Sequence, residues 1–573
     1  MNPTRRALVG PITFVFAIIA AVGMFFIAVT QGLALALAFA VMVATLYTAF
    51  NSDDGGVYCL IVAALLEGLY KSLSPNMVTM LVKDIFLTIL LLRLFWVSQR
   101  QRDFSWLHQP FTSAAVCFTA YCIALMFAPT TRSLLLALAG LRAWVLWMPA
   151  YFPFYAYFSD LNRVTRFLRV LIYLMLPVSL YGILQGNIGY AHTAVLPNFH
   201  KLSQFYQSDY NPNAEQNAGE GSAQFESSFN PIMNVRACAI HISPGAFGAM
   251  CAVMVLMSVG YAGYTPSGAM RVWAIVSGLA AAGGLLASGS RAPMLGLVAG
   301  MIAMTVVARR RGALIAGLGL IALVSVLFLR DVTGGGALRF EKRLSTEIVF
   351  ERAMYPLQVG IKQGLEHPFG NGIATGIGMG RVFYGAGLET AEGVRWVENE
   401  FGRALGELGF FGCALWLFMI CSILWHCARS IRNVGDASEG FLMAGMFGGM
   451  VSVFVQLSVG SALYGAHGGM YYWIFAAAIM KTADHVLAAR RQAAAAPEGA
   501  SAEQEAALPP TGTLGPEPGP PSWRQPGRWR GHRPPGPSRL VLKPPQPGQY
   551  RRAPGAPPGP RPGAPKSEPP DGS

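Results

Sequence analysis

Long apolar stretches alternate with short polar ones along most of the chain, and this pattern predicts its structural class. A helix that crosses a bilayer needs about 20 mostly apolar residues. We predict fourteen such helices, at 11–29, 32–50, 57–70, 77–97, 112–128, 134–157, 167–184, 237–262, 271–287, 292–308, 312–329, 400–426, 440–460 and 467–487. Because the 57–70 stretch is short and boundaries are loose, twelve or thirteen is also possible. The pattern predicts an all-α, polytopic helical membrane protein with about 12–14 transmembrane helices.

Composition supports this class and excludes others. Hydrophobic residues make up 53% of the 573 residues and charged residues only 13%, with a mean hydropathy of +0.42. Soluble domains carry roughly 25% charged residues. This shortage excludes a cytosolic globular enzyme, a wholly disordered chain and a nucleic-acid binder with a basic surface, although the net charge is +14.

The surplus of basic residues predicts the orientation, because Arg and Lys concentrate in cytoplasmic loops. With the N-terminus inside, the alternate loops hold the arginine clusters at 5–6, 100–102, 163–166, 309–311, 429–432 and 490–491. Two long segments, 185–236 and 330–399, then lie on the outer side. The second is expected to contain an amphipathic helix near 338–364. Loops of this length are usually functional.

The composition changes after the last apolar stretch, which predicts a second part of the chain. Residues 1–491 form the membrane domain, whereas 492–573 hold 22 of the 38 prolines. Such a Pro/Gly-rich segment cannot bury a core. We predict a disordered cytoplasmic tail, with protein or anionic-lipid binding as an alternative role.

Two arginines at predicted outer helix ends are candidates for anion binding. Arg291 follows Ser288-Gly289-Ser290 and opens a helix, and Arg236 ends the first long loop. Guanidinium groups bind phosphate oxygens in a planar fork, and helix N-termini favour anions. Two such arginines could clamp a diphosphate. The structural alternative for Arg291 is an interfacial residue that only sets topology, and for the nearby His241 it is a buried core histidine.

A third cluster opens the helix that leaves the second long loop. Arg395, Glu398, Asn399 and Arg403 are followed by Glu407 one turn later. A carboxylate in a partly dry cleft can act as a base towards a hydroxyl. The structural alternative is that acidic residues here only complement the helix dipole, while Glu400, Arg403 and Glu407 lie close enough on one helix face to pair.

Other ionisable residues near the membrane are further candidates. Arg142 lies in an aromatic-rich helix, where an arginine costs about 2.5–3.5 kcal/mol to insert and needs an internal partner. His467 is expected at the outer face, and Lys83 and Asp84 are adjacent residues that could pair. Metal-ligand spacing and nucleotide-binding motifs are absent from the sequence, so we expect neither metal nor cofactor.

Four short segments, in the same order along the chain, resemble motifs of the bacterial O-antigen ligase and O-antigen polymerase superfamily. The segment 236–245 resembles its Arg-to-Gly/Pro segment, and Ser288–Arg291 resembles its Ser-x-Ser-Arg motif. His367-Pro368-Phe369-Gly370-Asn371-Gly372 resembles its HPxxGxG motif, and Asn399 with 409–412 (Gly-Phe-Phe-Gly) resembles part of the ligase signature. The resemblance covers about residues 80–480. One position departs from it: the His before Asn in the ligase signature is Glu398 here.

The resemblance implies a glycosyltransferase of the bacterial inner membrane with its active site at the periplasmic face. It implies that a glycan on undecaprenyl diphosphate is transferred without metal and with inversion. Glu398 would be the base, Arg236 and Arg291 would bind the diphosphate, and Asn399, Arg395, Arg403, Arg142 and His467 would bind substrate. Glutamate at 398 favours a polysaccharide polymerase over a ligase acting on lipid A-core. A transporter or flippase is the remaining alternative, and partners of the tail could be chain-length or export proteins.

Overall fold

The structure is a computed structural model, and it describes the chain in segments separated by gaps. The described residues are 45–49, 51–68, 77–131, 134–188, 237, 239–241, 244–308, 346–373, 399–435, 437–458, 460, 463 and 466–495. Within these segments every regular element is a helix or a helical turn. This confirms the predicted all-helical class.

Thirteen α-helices are numbered in chain order, within the described segments. They are α1 (Asp53–Leu65), α2 (Met77–Gln101), α3 (Thr112–Leu125), α4 (Leu134–Val145), α5 (Tyr151–Tyr157), α6 (Leu161–Ile188), α7 (Pro244–Tyr264), α8 (Gly268–Ser288), α9 (Arg291–Ala308), α10 (Thr346–Glu366), α11 (Glu400–Val434), α12 (Ser438–Gln456) and α13 (Tyr471–Ala495). Short helical turns at Ser105–Leu107, Met148–Ala150 and Ala466–Met470 connect some of them.

Six of the described helices are long and apolar enough to cross a membrane. They are α6, α7, α8, α9, α11 and α12, and α3 is apolar but shorter. The protein is therefore a helical membrane protein. The predicted spans 11–29 and 312–329, and most of 32–50, lie outside the described residues. The full count of 12–14 stays a prediction, as does the orientation of the termini.

One predicted span is divided in the structure. The stretch 134–157 forms α4, a short 3-10 turn and α5 instead of one helix. Pro149 lies in the turn. Proline has no amide hydrogen to donate and its ring clashes with the carbonyl four residues earlier, which is that of Val145, the last residue of α4. Apolar length alone did not reveal this break.

Four helices, α7, α8, α9 and α12, pack through small side chains and are called the small-residue bundle below. A β-carbon added to Gly260 of α7 would lie 2.8 Å from Cα of Gly445 in α12, and one added to Gly300 of α9 would lie 2.5 Å from the carbonyl oxygen of Gly448. Such close backbone approach is typical of membrane helices. Helix α7 is central, because 78% of its most apolar window is buried.

The two segments predicted to lie outside the apolar helices are described only in part. Helix α10 falls within 330–399, in agreement with the amphipathic helix expected there. Residues 189–236 and 374–398 lie outside the described part. Helix α13 runs to Ala495, so it continues four residues beyond the predicted domain boundary, and the remainder of the predicted tail lies outside the described residues.

Candidate functional site

The Ser288–Arg291 motif forms a tight turn between α8 and α9. Gly289 ends α8 in the left-handed conformation, with φ of 57°, which glycine adopts without a steric penalty. The amide of Ser290 donates to Oγ of Ser288 at 3.2 Å. Helix α9 then begins at Arg291, whose side chain is partly buried. The turn therefore puts Arg291 in the first turn of a helix, as the sequence predicted.

The segment that follows Arg236 contacts this turn. Arg236 itself lies outside the described residues, but the amide of Ala237 donates to the carbonyl oxygen of Ala287 at 3.0 Å. On another side, a β-carbon on Gly248 of α7 would lie 2.7 Å from Oγ of Ser288. Two motifs about fifty residues apart along the chain thus meet at one end of the small-residue bundle.

The other two motifs also interlock, through two glycines. Helix α11 is broken at Gly409, which has φ of 68° and ψ of −176°. A β-carbon there would lie 2.3 Å from the amide nitrogen of Gly370, and Gly370 itself has φ of +91°. The hydroxyl of Tyr121 lies 2.7 and 2.8 Å from the carbonyl oxygens of Phe369 and Leu408. The loop after α10 therefore packs against the break in α11.

Asn399 fixes the start of α11. Its side-chain oxygen accepts from the amides of Phe401 and Gly402 at 2.8 and 3.2 Å, and its side-chain nitrogen donates to the carbonyl oxygen of Ser458 at 2.8 Å. This is an N-cap tied to the end of α12. The buried amide is used inside the protein, so Asn399 acts here by positioning the chain that follows Glu398.

The C-terminal end of α12 contacts both candidate helix starts. The amide of Glu400 donates to the carbonyl oxygen of Leu457 at 3.0 Å. On α9, a β-carbon on Gly296 would lie 2.6 Å from the carbonyl oxygen of Ser452. The beginning of α9, with Arg291, and the beginning of α11, next to Glu398, therefore lie at the same end of α12.

Glu400 is buried against a small cavity. One carboxylate oxygen accepts from the amide of Leu463 at 3.2 Å, and only 2% of the residue is exposed. The cavity holds about 20 Å³, about the space of one water molecule. Besides Glu400 and Leu463, its lining residues are Ala143, Trp144, Trp147, Met148, Trp416, Met419, Ile420 and Trp473.

Arg403 and Glu407 form a buried ion pair on one face of α11. Nε of Arg403 donates to Oε1 of Glu407 at 3.1 Å, and Nε1 of Trp144 donates to Oε2 of Glu407 at 2.8 Å. The guanidinium also lies 4.7 Å from the centre of the Trp144 ring. The i, i+4 pairing expected from the sequence is present, and an indole from α4 completes it.

Two further ion pairs connect α2 with its neighbours. Nε of Arg142 lies 2.5 Å from Oδ2 of Asp84, and Lys83 pairs with Glu67 just after α1. Lys83 and Asp84 therefore do not pair with each other but join separate partners. Lys83 also lies 5.4 Å from the centre of the Trp147 ring. Arg142 has the internal partner that its position requires.

These ion pairs and Glu400 are grouped around the segment 144–147 and are called the charged cluster below. Its members are Glu67, Lys83, Asp84, Arg142, Glu400, Arg403 and Glu407. The chain next to this cluster also packs against the segment 236–245. A β-carbon on Gly68, which follows Glu67, would lie 2.3 Å from the carbonyl oxygen of Ile240. His241 is fully buried, with its ring centre 5.6 Å from that of Phe247, as its structural alternative predicted.

The remaining predicted site residues are placed less completely. Glu398 and Arg395 lie outside the described residues, and His467 lies in the turn Ala466–Met470 with its side chain undescribed. A β-carbon on Gly469 in the same turn would lie 2.0 Å from the carbonyl oxygen of Leu463. The turn is thus packed beside the Glu400 cavity.

One residue of the cluster, and the tryptophans that line the Glu400 cavity, were missed by the sequence analysis. Glu67 is a carboxylate within an apolar stretch, which is the signal that could have identified it. Trp147, Trp416 and Trp473 carry no such signal, since aromatic residues are common in membrane helices. Among the described residues, no group of three or more His, Cys, Asp or Glu could hold a metal ion.

Comparison with known proteins adds no identification. No known protein-family model matches the chain, and no curated protein matches its sequence.

Proposed function

We propose that the protein is a membrane-embedded glycosyltransferase that polymerises glycan repeat units carried on undecaprenyl diphosphate. One observation supports this most strongly: the helix start that carries Arg291 and the helix start next to Glu398 contact the same end of α12. A diphosphate-binding cation and a base towards the acceptor hydroxyl must lie on one face of the membrane. The ordered resemblance of four motifs to the O-antigen polymerase and ligase superfamily gives the chemistry.

In the proposed reaction, the carboxylate of Glu398 accepts the proton of an acceptor sugar hydroxyl. The freed oxygen attacks the anomeric carbon of the donor from the face opposite the diphosphate. The bond from that carbon to the diphosphate oxygen breaks, and the diphosphate leaves with the electron pair. The configuration at the anomeric carbon is therefore inverted, and no metal is required.

Arg236 and Arg291 would stabilise the charge that develops on the departing diphosphate. Electrostatic stabilisation of this kind is usually the largest contribution to catalysis. In the described part of the chain, Ala237 and the turn before Arg291 are joined by a hydrogen bond of 3.0 Å. That hydrogen bond gives a physical basis for placing two guanidinium groups on one leaving group.

Asn399 and Arg403 are proposed as positioning residues, because their side chains bond within the protein. Arg142 is proposed as a third positioning residue, because its side chain pairs with Asp84. Arg395 and His467 remain proposed substrate contacts at the same periplasmic face. Chain-length or export proteins remain proposed partners of the tail.

The experiment follows glycan chain length in a bacterial host whose own copy of the gene is replaced. We expect Glu398→Ala and Arg291→Ala to retain single repeats on the lipid carrier and to lower elongation by at least about 10²-fold. Arg429→Ala, an exposed arginine in a predicted cytoplasmic cluster, is the matched control and keeps the wild-type ladder.

Each other outcome identifies an alternative. A ligase variant would leave long polymer on the carrier, and a flippase variant would leave repeats that never reach the outer face. If both variants accumulate normally in membranes and still elongate the glycan, the assignment is wrong.

A further inference from the structure

Helix α10 lies in the second long segment, where an amphipathic helix was expected, and its surface is divided into three strips. The strip against α11 consists of Pro356, Gly360 and Gly364, spaced four residues apart and buried. A β-carbon on Gly360 would lie 2.4 Å from the carbonyl oxygen of Gly402. This close contact leaves the rest of the α10 surface to face its surroundings.

The exposed surface of α10 is itself amphipathic. Ile361 and Leu365 are 39% and 69% exposed and lie on one face, together with Met354 one heptad earlier. Gln358, Lys362 and Glu366 are also exposed and form the neighbouring strip. Residues four apart share a helix face, so an apolar strip and a polar strip run side by side.

The apolar strip continues onto the exposed apolar side of α11, one of the helices long enough to cross a membrane. Phe369 is 72% exposed after the end of α10, and its ring centre lies 6.4 Å from that of Phe411. Phe411, Phe418 and Trp425 follow at seven-residue spacing on α11 and are each more than half exposed. These large side chains form one stripe from the middle of a membrane-spanning helix to α10.

The break in α11 shows where this stripe lies relative to the hydrocarbon core of the bilayer. From Phe410 to Val434 the helix is about 37 Å long at 1.5 Å per residue, whereas a hydrocarbon core is about 30 Å thick. The spanning part of α11 therefore begins close to Gly409. Phe369 and the end of α10 are packed against that position, at the boundary of the membrane.

We propose that α10 lies in the interfacial layer of the bilayer, with Ile361, Leu365 and Phe369 among the acyl chains. Lys362 then lies at the level of the lipid phosphate groups, which is the usual arrangement of an interfacial amphipathic helix. The occupant of the apolar strip is lipid, because the strip continues the exposed apolar stripe of α11. The proposal does not depend on the glycosyltransferase assignment.

The test compares neighbouring positions on opposite strips of the full-length protein. An environment-sensitive fluorescent amino acid is introduced singly at 361, 362, 365 or 366, and each protein is reconstituted into phosphatidylcholine vesicles. Quenching is measured with a phospholipid that carries a nitroxide near the top of its acyl chain, and separately with aqueous iodide. All four native side chains are exposed. If one variant folds poorly, the other pair of neighbouring positions, 361 with 362 or 365 with 366, is enough for the comparison.

We expect the nitroxide lipid to quench positions 361 and 365 at least about threefold more strongly than 362 and 366, with the reverse order for iodide. Strong iodide quenching at 361 and 365 would place α10 in water and overturn the proposal. Protection of both positions from both quenchers would indicate a protein partner or a second copy, and would also overturn it.

Discussion

The small-residue bundle and the charged cluster pack membrane helices in opposite ways. In α7, α8, α9 and α12 the backbones approach closely at glycines, and the buried polar side chains of these described helices are uncharged. The charged cluster instead buries carboxylates, a lysine and an arginine among tryptophans. Charge inside a membrane protein is costly and marks functional positions, so the bundle is interpreted as a scaffold and the cluster as the support of the site.

The largest expected effect is in the charged cluster, at Glu407. Replacing Glu407 by alanine breaks its buried ion pair with Arg403, and breaking a buried pair costs about 3–5 kcal/mol. We expect a large fall in the thermal unfolding temperature of the purified protein in detergent. Glu407→Gln keeps an acceptor for Trp144 and is expected to lose less.

Arg429→Ala serves as the control for charge removal, since this arginine on α11 is exposed. Exposed substitutions change stability by about 0.5 kcal/mol or less. Equal unfolding temperatures for Glu407→Ala and Arg429→Ala would show that the buried pair does not stabilise the fold.

An intermediate effect is expected at Gly409, where the helix break is coupled to the HPxxGxG loop. Alanine there meets backbone strain of about 1–3 kcal/mol and also overlaps the amide of Gly370. Gly435 has φ of 71° and open space around it, so Gly435→Ala has the same kind of strain without the overlap. We expect Gly409→Ala to unfold at the lower temperature and, alone of the two, to abolish glycan elongation.

If both glycine variants kept the wild-type activity, the helix break at Gly409 would not be needed for function. A loss of elongation in both variants would instead attribute the effect to backbone strain at the two glycines rather than to the contact between the motifs.

The smallest effect is expected within the bundle, at Gly260. A methyl group there overlaps Cα of Gly445 in α12, and overpacking typically costs about 1–3 kcal/mol. The higher helix propensity of alanine returns about 1 kcal/mol of that. Gly268→Ala, at the open start of α8, has no neighbour within 4 Å and is expected to be neutral or slightly stabilising.

Thermal unfolding of the two alanine variants in one detergent checks this prediction. If Gly268→Ala lowered the unfolding temperature more than Gly260→Ala, the close packing at Gly260 would not be important for the stability of the bundle.

Sequence reasoning identified most helices because apolar length is a strong signal. It also anticipated the Arg403–Glu407 pair, which depends only on spacing along one helix. It did not predict the division of 134–157, because apolar length outweighed Pro149. Nor could it find the partners of Glu407 and Lys83, since Trp144 and Glu67 reach them only through tertiary packing.

The candidate site shows the same limit. The turn at Gly289 was expected from the Gly/Ser break between two apolar stretches. The cap at Asn399 is also local chemistry, but the sequence analysis placed Asn399 among the substrate-binding residues. The contacts that join the motifs in pairs, such as Gly370 with Gly409, depend on how distant helices meet. A single sequence carries no direct record of those distances.

The separation between charged partners along the chain also has a consequence for biogenesis. Lys83 follows Glu67 by 16 residues, so α1 and α2 can enter the bilayer with this one pair already neutralised. Asp84 must wait for Arg142, 58 residues later, until α4 has been synthesised. Arg403 and Glu407 lie on one helix and neutralise each other at once. This spacing predicts that the cluster assembles in steps during insertion and that Asp84 waits longest for its partner.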